Sequence, residues 1–131
     1  SLINGFSLKW LRLFYMYGEG QSPKSLFSQL NEAIKNGESV FRMSGGEQVR
    51  DFLPIKSVAK IIVKSALQTE VCGIINCCSG LPVKLKDFVA DYLIAAHKKI
   101  ELQLGYYPYL DYEPMEFWGD SRKLNKILNH E

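Results

Sequence analysis

The sequence has little that would place it outside ordinary globular proteins. Its 131 residues contain no apolar run close to the ~20 residues that a membrane span requires. Its 16 Lys and Arg nearly balance its 14 Asp and Glu, so the net charge of +2 lacks the clustered basic excess typical of nucleic-acid binders. The first five residues show neither the basic flank nor the apolar stretch of a signal peptide. We therefore expect no nucleic-acid partner and no membrane partner.

Cysteine is scarce, and its positions do not suggest disulfides. Cys77 and Cys78 are adjacent, and Cys72 makes the count odd. Cysteines in an apolar run are typical of buried free thiols in a reducing compartment, so we predict free cysteines and a cytoplasmic location. His97 and His130 do not lie at ligand spacing from the cysteines, and no metal site is predicted.

The sequence does contain enough apolar residues for a core, arranged as alternating strand and helix signals. Apolar residues make up 47% of the chain. A chain of this size buries roughly two-thirds of its unfolded surface. Apolar periodicity predicts the order strand, helix, strand, strand, helix, strand, helix, strand, loop, helix. This alternation predicts an α/β layered fold, which we expect to form a single domain over residues 1–131.

Several element predictions are specific enough to be tested. Residues 7–17 are predicted to form a strand that is buried over most of its length, as in a parallel sheet. Ser22 is predicted to cap a helix with Pro23 at its first position, and Ser57 to cap the next helix. The clearest amphipathic helix is predicted over residues 84–98.

Four segments, in order along the chain, are similar to motifs of one enzyme family. Residues 11–21 (LRLFYMYGEGQ) resemble LRxFNxYGPGQ, and residues 45–59 (GGEQVRDFLPIKSVA) resemble GxGxQxRDFxxVxDVA. Residues 75–83 (INCCSGLPV) resemble YNVGSGxPV, and residues 119–124 (GDSRKL) resemble aDxSKL. The family is that of the extended short-chain dehydrogenases acting on nucleotide sugars. Each motif is modest alone, whereas the ordered set covers residues 8–128.

The resemblance implies which part of such an enzyme this chain corresponds to. It aligns with the C-terminal, substrate-binding portion of the fold, with small mixed α/β layers and most of the Rossmann sheet missing. In the family, a glycine-rich turn after a strand binds the cofactor, and a Tyr followed four residues later by Lys transfers the proton. Neither pattern occurs in this sequence. We therefore expect no catalytic and no cofactor-binding residue here, and no turnover from this chain alone.

The resemblance also implies a reaction and a partner class. The parent enzyme would be an NAD(P)-dependent epimerase, dehydratase or 4-keto sugar reductase, with NAD or NADP as cofactor and a nucleotide-diphosphate sugar as substrate. Residues 41–48 and 113–120 resemble a bacterial branch of the family that serves surface-polysaccharide and lipopolysaccharide biosynthesis. The alternative is a non-enzymatic α/β interaction module that keeps the family's sequence.

Arg50 is the strongest candidate for substrate binding. A guanidinium fork offers a bidentate contact to a pair of phosphate oxygens. The position of Arg50 before Asp51 matches the family arginine that the resemblance assigns to the diphosphate. The alternative is a surface ion pair of Arg50 with Asp51 or Glu47, worth about 0–1 kcal/mol.

Four further residues are predicted substrate contacts, and the two polar ones also have a structural alternative. Tyr17 stands at the end of a strand, where open α/β sheets bind their ligands, so it is predicted to contact the substrate. The alternative is that its ring only packs against neighbouring side chains. Asn76 contacts a ligand or its own loop. The family often has an aromatic that stacks on the base where Met43 stands, so Phe41 or Met43 would take over that contact. Tyr15 replaces a family Asn that lies on the phosphate side of the substrate.

Three other features keep their alternatives open. Arg12 lies in the strand predicted to be buried, so either its stem packs and its head reaches an acidic partner, or it lines the cofactor–substrate cleft. Six aromatic residues between positions 106 and 118 form a platform for a base or sugar, or a loop folded over the core. Strand 8–14 would lack its usual neighbour, so we expect edge pairing between copies, strand exchange or a rearranged end, with a homo-oligomer as one result.

Overall fold

The computed structural model describes residues 2–3 and 5–129, in which strands and helices follow one another as short elements. The strands are β1 (Leu2–Ile3), β2 (Phe6–Ser7), β3 (Lys9–Leu13), β4 (Tyr15–Tyr17), β5 (Val40–Arg42), β6 (Val49–Arg50), β7 (Phe52–Pro54), β8 (Gly73–Cys77), β9 (Val83–Lys84) and β10 (Glu101–Gln103). The helices are α1 (Leu26–Lys35), α2 (Ile55–Leu67), α3 (Leu85–Ala95) and α4 (Arg122–Leu128). The predicted α/β class is confirmed. Ser1 and Asn4 of the N-terminal segment, and His130, lie outside the described residues.

The described residues form two compact units, between which the chain passes more than once. Unit 1 draws on the ranges Ser1–Glu19, Asp51–Leu81 and Trp118–Glu131. Unit 2 consists of Gly20–Arg50 and Pro82–Phe117. The prediction of a single domain over residues 1–131 is not tested by this division and stays a prediction.

Unit 1 is built on parallel strand pairs. β3 pairs with β8, so that Trp10 lies opposite Ile74 and Arg12 opposite Asn76. β4 pairs in parallel with β7. Helices α2 and α4 pack apolar side chains against these strand pairs, and α2 is the helical connection from β7 to β8. The buried core of unit 1 comprises Val58, Ile61, Ile75, Cys77, Leu124 and Ile127.

Unit 2 combines a parallel and an antiparallel strand pair with two helices. β5 pairs in parallel with β10, and β6 pairs antiparallel with β9. Ring contacts join α1 to α3, since the Phe27 ring lies 5.4 Å from that of Phe88 and 5.1 Å from that of Tyr92. The buried apolar side chains of unit 2 are Phe27, Leu30, Ala33, Phe41, Met43, Val89 and Leu93.

The prediction of one buried strand over residues 7–17 is wrong. The chain breaks this segment at Phe14 into β3 and β4, and the side chain of Trp10 is 62% exposed. Within the described residues β3 belongs to a two-stranded sheet with β8. One face and one edge of β3 therefore lie open, whereas strands of complete parallel sheets are covered on both faces.

Both predicted serine caps are wrong, although the helices that follow them are present. Ser25 caps α1, because its Oγ accepts from the Ser28 backbone N–H at 3.3 Å. Ser22 instead accepts from the Lys24 N–H at 3.2 Å in the preceding turn, which leaves Pro23 outside the helix. Ser57 lies inside α2, because β7 runs directly into this helix and Pro54 takes the cap position.

Two further element predictions, a helix and a loop, agree with the structure. The amphipathic helix predicted over residues 84–98 is α3, which is shorter at its C-terminal end. Residues 107–114 form a loop, as the aromatic and proline-rich sequence predicts. Across the described part of the chain, every helix is too short or too polar to pass through a lipid bilayer.

Candidate functional site

Arg50 is the buried cation of unit 2, at the end of β6 and only 3% exposed. Its Nη1 donates to the carbonyl oxygen of Val49 at 2.8 Å. Its Nη2 lies 3.4 Å from Oε1 of Glu113. The guanidinium carbon stands 4.7 Å from the centre of the Phe117 ring, within cation–π distance. Three contacts of different kinds therefore orient one guanidinium.

Backbone pairing brings these partners to Arg50 from far along the sequence. The Val49 N–H donates to the carbonyl of Met115 at 2.7 Å, and the Phe117 N–H donates to the carbonyl of Val49 at 3.2 Å. Val49 and Glu116 thus form an isolated parallel bridge. This bridge places the segment that carries Glu113 and Phe117 beside β6.

The arrangement allows Arg50 to receive another oxyanion. The Glu113 side chain is 33% exposed, so water can solvate its carboxylate when it moves away. Its 3.4 Å separation from Nη2 is longer than the 2.7–3.2 Å of a good N–H···O hydrogen bond. A phosphate oxygen pair would make shorter, charge-assisted bonds to the same fork. The alternative of a surface ion pair is wrong, because Arg50 is buried and Glu47 pairs with Lys84 and Lys86.

Asp51, the next residue, is the buried carboxylate of unit 1 and is fully inaccessible. Its Oδ1 accepts from the Ser79 N–H and from the Ser79 hydroxyl, both at 2.7 Å. Its Oδ2 accepts from the Gly80 N–H at 2.9 Å and from the Gly119 N–H at 3.2 Å. Four donors of the protein thus saturate this carboxylate. Asp51 joins the loop after β8 to the segment before α4.

The thiols of unit 1 lie near this carboxylate. Cys77 and Cys78 are buried free cysteines, as predicted, whereas Cys72 is only half-buried. Burial, together with the charge of Asp51, raises the pKa of the Cys78 thiol to about 11. The same two causes raise the pKa of Cys77. Both thiols are therefore protonated near neutral pH and are poor nucleophiles.

The other predicted site residues fall into both units. Tyr17 ends β4 in unit 1 and is half-buried. Asn76 of unit 1 donates from Nδ2 to the carbonyl oxygen of Asp120 at 3.3 Å, which belongs to the segment before α4 and not to its own loop. Its contact with a ligand stays a prediction. In unit 2, Phe41 is 8% exposed and Met43 is 2% exposed. Their predicted contact with a base stays a prediction, and so little exposed surface gives it no support.

The aromatic segment after β10 forms a loop that is tied to a glycine turn of unit 2. The Tyr109 hydroxyl accepts from the Glu47 N–H at 3.2 Å. The Tyr106 and Tyr107 rings meet edge to face at 4.9 Å, and the Arg42 guanidinium lies 4.7 Å from the Tyr106 ring centre. Tyr112 is largely exposed. The segment is a loop, whereas its folding over the core and its role as a platform for a base or sugar both stay predictions.

Sequence reasoning missed the partners of the two buried charges. Glu113 and Phe117 were part of a resembling segment and of the aromatic run, but nothing in either pattern tied them to Arg50. Asp51 was considered only as an ion-pair partner. The signal for the role of Asp51 as an acceptor was the pair Ser79 and Gly80 after a buried strand. Such a turn leaves backbone N–H groups that need an acceptor.

The starts of helices α2 and α3 do not fit the pyrophosphate of a dinucleotide cofactor. The pyrophosphate of NAD or NADP sits on backbone N–H groups of a glycine-rich turn at a helix N-terminus. α2 and α3 both begin directly after a strand, with Pro54 and Lys84 at their cap positions and no glycine there. Over the described residues, there is also no cluster of three or more His, Cys, Asp or Glu side chains suited to a metal ion.

Parallel strand pairs packed against helices define an α/β protein with Rossmann-like strand pairing. The family described as NAD dependent epimerase/dehydratase matches residues 3–78, and the chain belongs to this family. The resemblance to extended short-chain dehydrogenases acting on nucleotide sugars is thereby confirmed at the level of the family.

Known relatives are nucleotide-sugar enzymes. A dTDP-6-deoxy-L-talose 4-dehydrogenase (NAD(+)) of Aggregatibacter actinomycetemcomitans is 31% identical over 113 residues, which is 86% of this chain and 42% of that protein. The UDP-N-acetylglucosamine 4-epimerase of Methanobrevibacter ruminantium M1, solved with UDP-N-acetylmuramic acid, is 26% identical with a TM-score of 0.78, over 94% of this chain and 40% of that chain.

More distant solved structures share the fold. MoeE5 in complex with UDP-glucuronic acid and NAD is 24% identical with a TM-score of 0.77, and the match covers 95% of this chain and 42% of that one. RMD from Pseudomonas aeruginosa, complexed with NADPH, is 18% identical with a TM-score of 0.77, over 95% of this chain and 43% of that one. The chain thus spans about two-fifths of the length of these relatives.

Proposed function

We propose that this chain is the nucleotide-sugar-binding portion of an NAD(P)-dependent epimerase, dehydratase or reductase, and that Arg50 binds the diphosphate of the substrate. The observation that carries the proposal is the buried Arg50 guanidinium, oriented by the Val49 carbonyl and the Phe117 ring. This arginine stands in the segment that resembles the family's diphosphate motif.

The surroundings of Arg50 suit a diphosphate better than a single carboxylate. Burial lowers the local dielectric constant, so an added phosphate charge interacts more strongly with Arg50 than it would in water. The fork is already oriented, and less side-chain entropy is lost when the ligand binds. Glu113 stands in for the ligand and releases the guanidinium by turning into solvent.

In the parent enzyme the nicotinamide, once bound, supplies hydride transfer. The residues of this chain would bind the nucleotide sugar and hold its sugar ring in one orientation, which lowers the barrier by positioning. Tyr17 and Asn76 stay proposed contacts of unit 1. Relatives with NAD and with NADPH support either cofactor for the parent.

The substrate is proposed to be a deoxysugar nucleotide. A relative that acts as a dTDP-6-deoxy-L-talose 4-dehydrogenase supports a 4-keto sugar reductase. A role in bacterial surface polysaccharide and a cytoplasmic location stay predictions. We expect no turnover from the 131-residue chain alone, and NAD-dependent oxidation of any nucleotide sugar by this chain would contradict that expectation.

Calorimetric titration with UDP-, dTDP-, CDP- and GDP-sugars tests the role of Arg50. We expect saturable binding of at least one of them, weakened about tenfold or more in Arg50→Ala because a charge-assisted bidentate contact is lost. Arg42→Ala is the matched control, since Arg42 also lies 4.7 Å from an aromatic ring but is exposed. Unchanged affinity in Arg50→Ala, or an equal loss in Arg42→Ala, would remove Arg50 from the site.

One observation favours the second candidate, a non-enzymatic interaction module that forms a homo-oligomer. Trp10 and Ile74 lie opposite each other on the β3–β8 sheet and are 62% and 51% exposed. Because β3 pairs with β8 alone among the described strands, its other edge offers a second copy a row of backbone groups. Light scattering should then show a dimer that dissociates in Trp10→Lys, and a monomer at every concentration would exclude this candidate.

A further inference from the structure

The contact between Arg50 and Glu113 differs in kind from the other contacts of Arg50 given above. The Val49 carbonyl and the Phe117 ring are uncharged, whereas the Glu113 carboxylate carries the same sign of charge as a phosphate. Its Oε1 lies 3.4 Å from Nη2 of Arg50, and its side chain is 33% exposed. A carboxylate at this place repels an incoming diphosphate and competes with it for the same guanidinium.

The backbone that carries Glu113 is held in place on both sides. The Glu113 N–H donates to the carbonyl oxygen of Leu110 at 3.0 Å, which closes a turn before it. Two residues later, the carbonyl oxygen of Met115 accepts from the Val49 N–H at 2.7 Å. Pro114 lies between these anchors, and its ring fixes its φ angle. Exchange of the partner of Arg50 therefore needs only a rotation of the Glu113 side chain, which is fast compared with ligand binding.

The reaction proposed above alters the sugar and leaves the diphosphate unchanged, so substrate and product offer Arg50 the same group. Binding that is equally strong before and after the reaction does not raise the turnover number once the site is saturated. It does retain the product, whose release limits the rate of many enzymes. A residue that weakens the hold of Arg50 on the diphosphate therefore favours release.

We propose that Glu113 is a built-in competitor that lowers the affinity of Arg50 for the diphosphate of its ligand. This inference rests on the function proposed above for Arg50. The apparent Kd equals the intrinsic Kd divided by the fraction of molecules in which the Glu113 carboxylate has left the guanidinium. Glu113 thus acts on the ligand through Arg50, and removing its charge makes binding tighter.

Glu113→Gln removes the charge and keeps the size of the side chain. By calorimetric titration, we expect it to bind the preferred nucleotide sugar, among UDP-, dTDP-, CDP- and GDP-sugars, about fivefold or more tightly than wild-type protein. A purely structural role would change affinity in the opposite direction, because a damaged site binds more weakly. Glu113→Ala should also bind more tightly, since it removes the same charge. Thermal unfolding by circular dichroism verifies folding, and equal or weaker binding in both folded variants would overturn the proposal.

Glu116→Gln is the matched control. Glu116 lies three residues further along the same segment, carries the same charge and is exposed. Its substitution removes one negative charge from this segment and leaves the ion pair between Arg50 and Glu113 in place. At physiological ionic strength, where exposed charges are screened, we expect its Kd to stay within about twofold of the wild-type value. An equal gain of affinity in Glu116→Gln and Glu113→Gln would overturn the proposal, because net charge and not the ion pair would then decide affinity.

Combining Glu113→Gln with Arg50→Ala separates this proposal from the one on which it rests. If Glu113 acts through Arg50, the double variant should bind as weakly as Arg50→Ala alone. A gain of affinity that persists without Arg50 would overturn the proposal for Glu113 and leave the role of Arg50 intact. Wild-type affinity in Arg50→Ala would instead remove Arg50 from the site and Glu113 with it. The two proposals therefore fail on different variants.

Discussion

Arg50 and Asp51 are adjacent in sequence and both are buried, yet their surroundings differ in kind. Asp51 accepts four hydrogen bonds from the Ser79 N–H and hydroxyl and from the N–H groups of Gly80 and Gly119. The contacts of Arg50 include the Val49 carbonyl, the Phe117 ring and the carboxylate of Glu113, which is itself 33% exposed.

This difference supports the proposal that Asp51 has a structural role and that Arg50 binds a ligand. A buried charge that the protein's own donors saturate can be removed only at a large cost in stability. A buried charge whose ionic partner reaches solvent can exchange that partner for a ligand at little cost. By this criterion Asp51 stabilises unit 1, whereas the surroundings of Arg50 in unit 2 support its proposed role of binding an oxyanion.

Asp51→Asn should have the largest effect of any single change considered. The amide would direct an NH2 group at backbone N–H donors and leave several of them unsatisfied, so we expect a loss of about 3 kcal/mol or more in the free energy of unfolding. Urea denaturation followed by circular dichroism measures it. Asp91→Asn, on the exposed side of α3, is the control and should change stability by about 0.5 kcal/mol or less. A loss below about 1 kcal/mol in Asp51→Asn would remove the distinction between the two charges.

Gly119→Ala should disturb Asp51 without touching its carboxylate. A Cβ at this position would overlap Cys78 and approach the Phe14 ring to 3.0 Å, so the backbone that donates to Asp51 must move. We expect a loss of about 1–3 kcal/mol from overpacking. A Cβ at Gly45 would also overlap a neighbour, the Tyr109 hydroxyl, but that side chain is exposed, can turn away and has no link to Asp51. Gly45→Ala is therefore the control, and equal stability losses in the two alanine variants would show that the contact with Asp51 does not decide the effect.

Arg50→Met should leave stability nearly unchanged. The methionine keeps apolar contact with Phe117, and Glu113 regains water when its partner is lost, so the change should be about 1 kcal/mol or less. The urea midpoint measures this, and nucleotide-sugar binding should be lost in the same protein. A loss as large as that of Asp51→Asn would make Arg50 a structural charge too.

The smallest effect concerns an exposed ion pair of unit 2. Hydrogen bonds from Lys86 and Lys84 lower the pKa of Glu47 from 4.5 to about 2. Because the folded pKa is depressed, the contribution of Glu47 is present above pH 4.5 and is lost as pH falls toward 2. Urea midpoints of wild-type protein and Glu47→Gln should therefore differ slightly at pH 6 and converge on acidification. If the two urea midpoints differed by the same amount from pH 6 to pH 2, the ion pairs of Glu47 with Lys84 and Lys86 would not stabilise the fold.

A motif predicted Arg50 and the alternation of strand and helix signals predicted the α/β class, while the partners of each buried charge needed the three-dimensional structure. The strand and helix signals were sufficient for α3 and for the loop over residues 107–114, because their periodicity and composition are local properties. The exposure of Trp10 was not predictable, since it depends on which strands stand beside β3. Glu113 reaches Arg50 only through the bridge between Val49 and Glu116, a pairing that leaves no local pattern.

The most direct test of the account is a ratio of two dissociation constants. It compares Arg50→Met with wild-type protein for whichever of the UDP-, dTDP-, CDP- and GDP-sugars the wild-type chain binds most tightly. We expect this ratio to be about ten or more, while the free energies of unfolding of the two proteins agree within about 1 kcal/mol. A ratio near one, with both proteins folded, would contradict it.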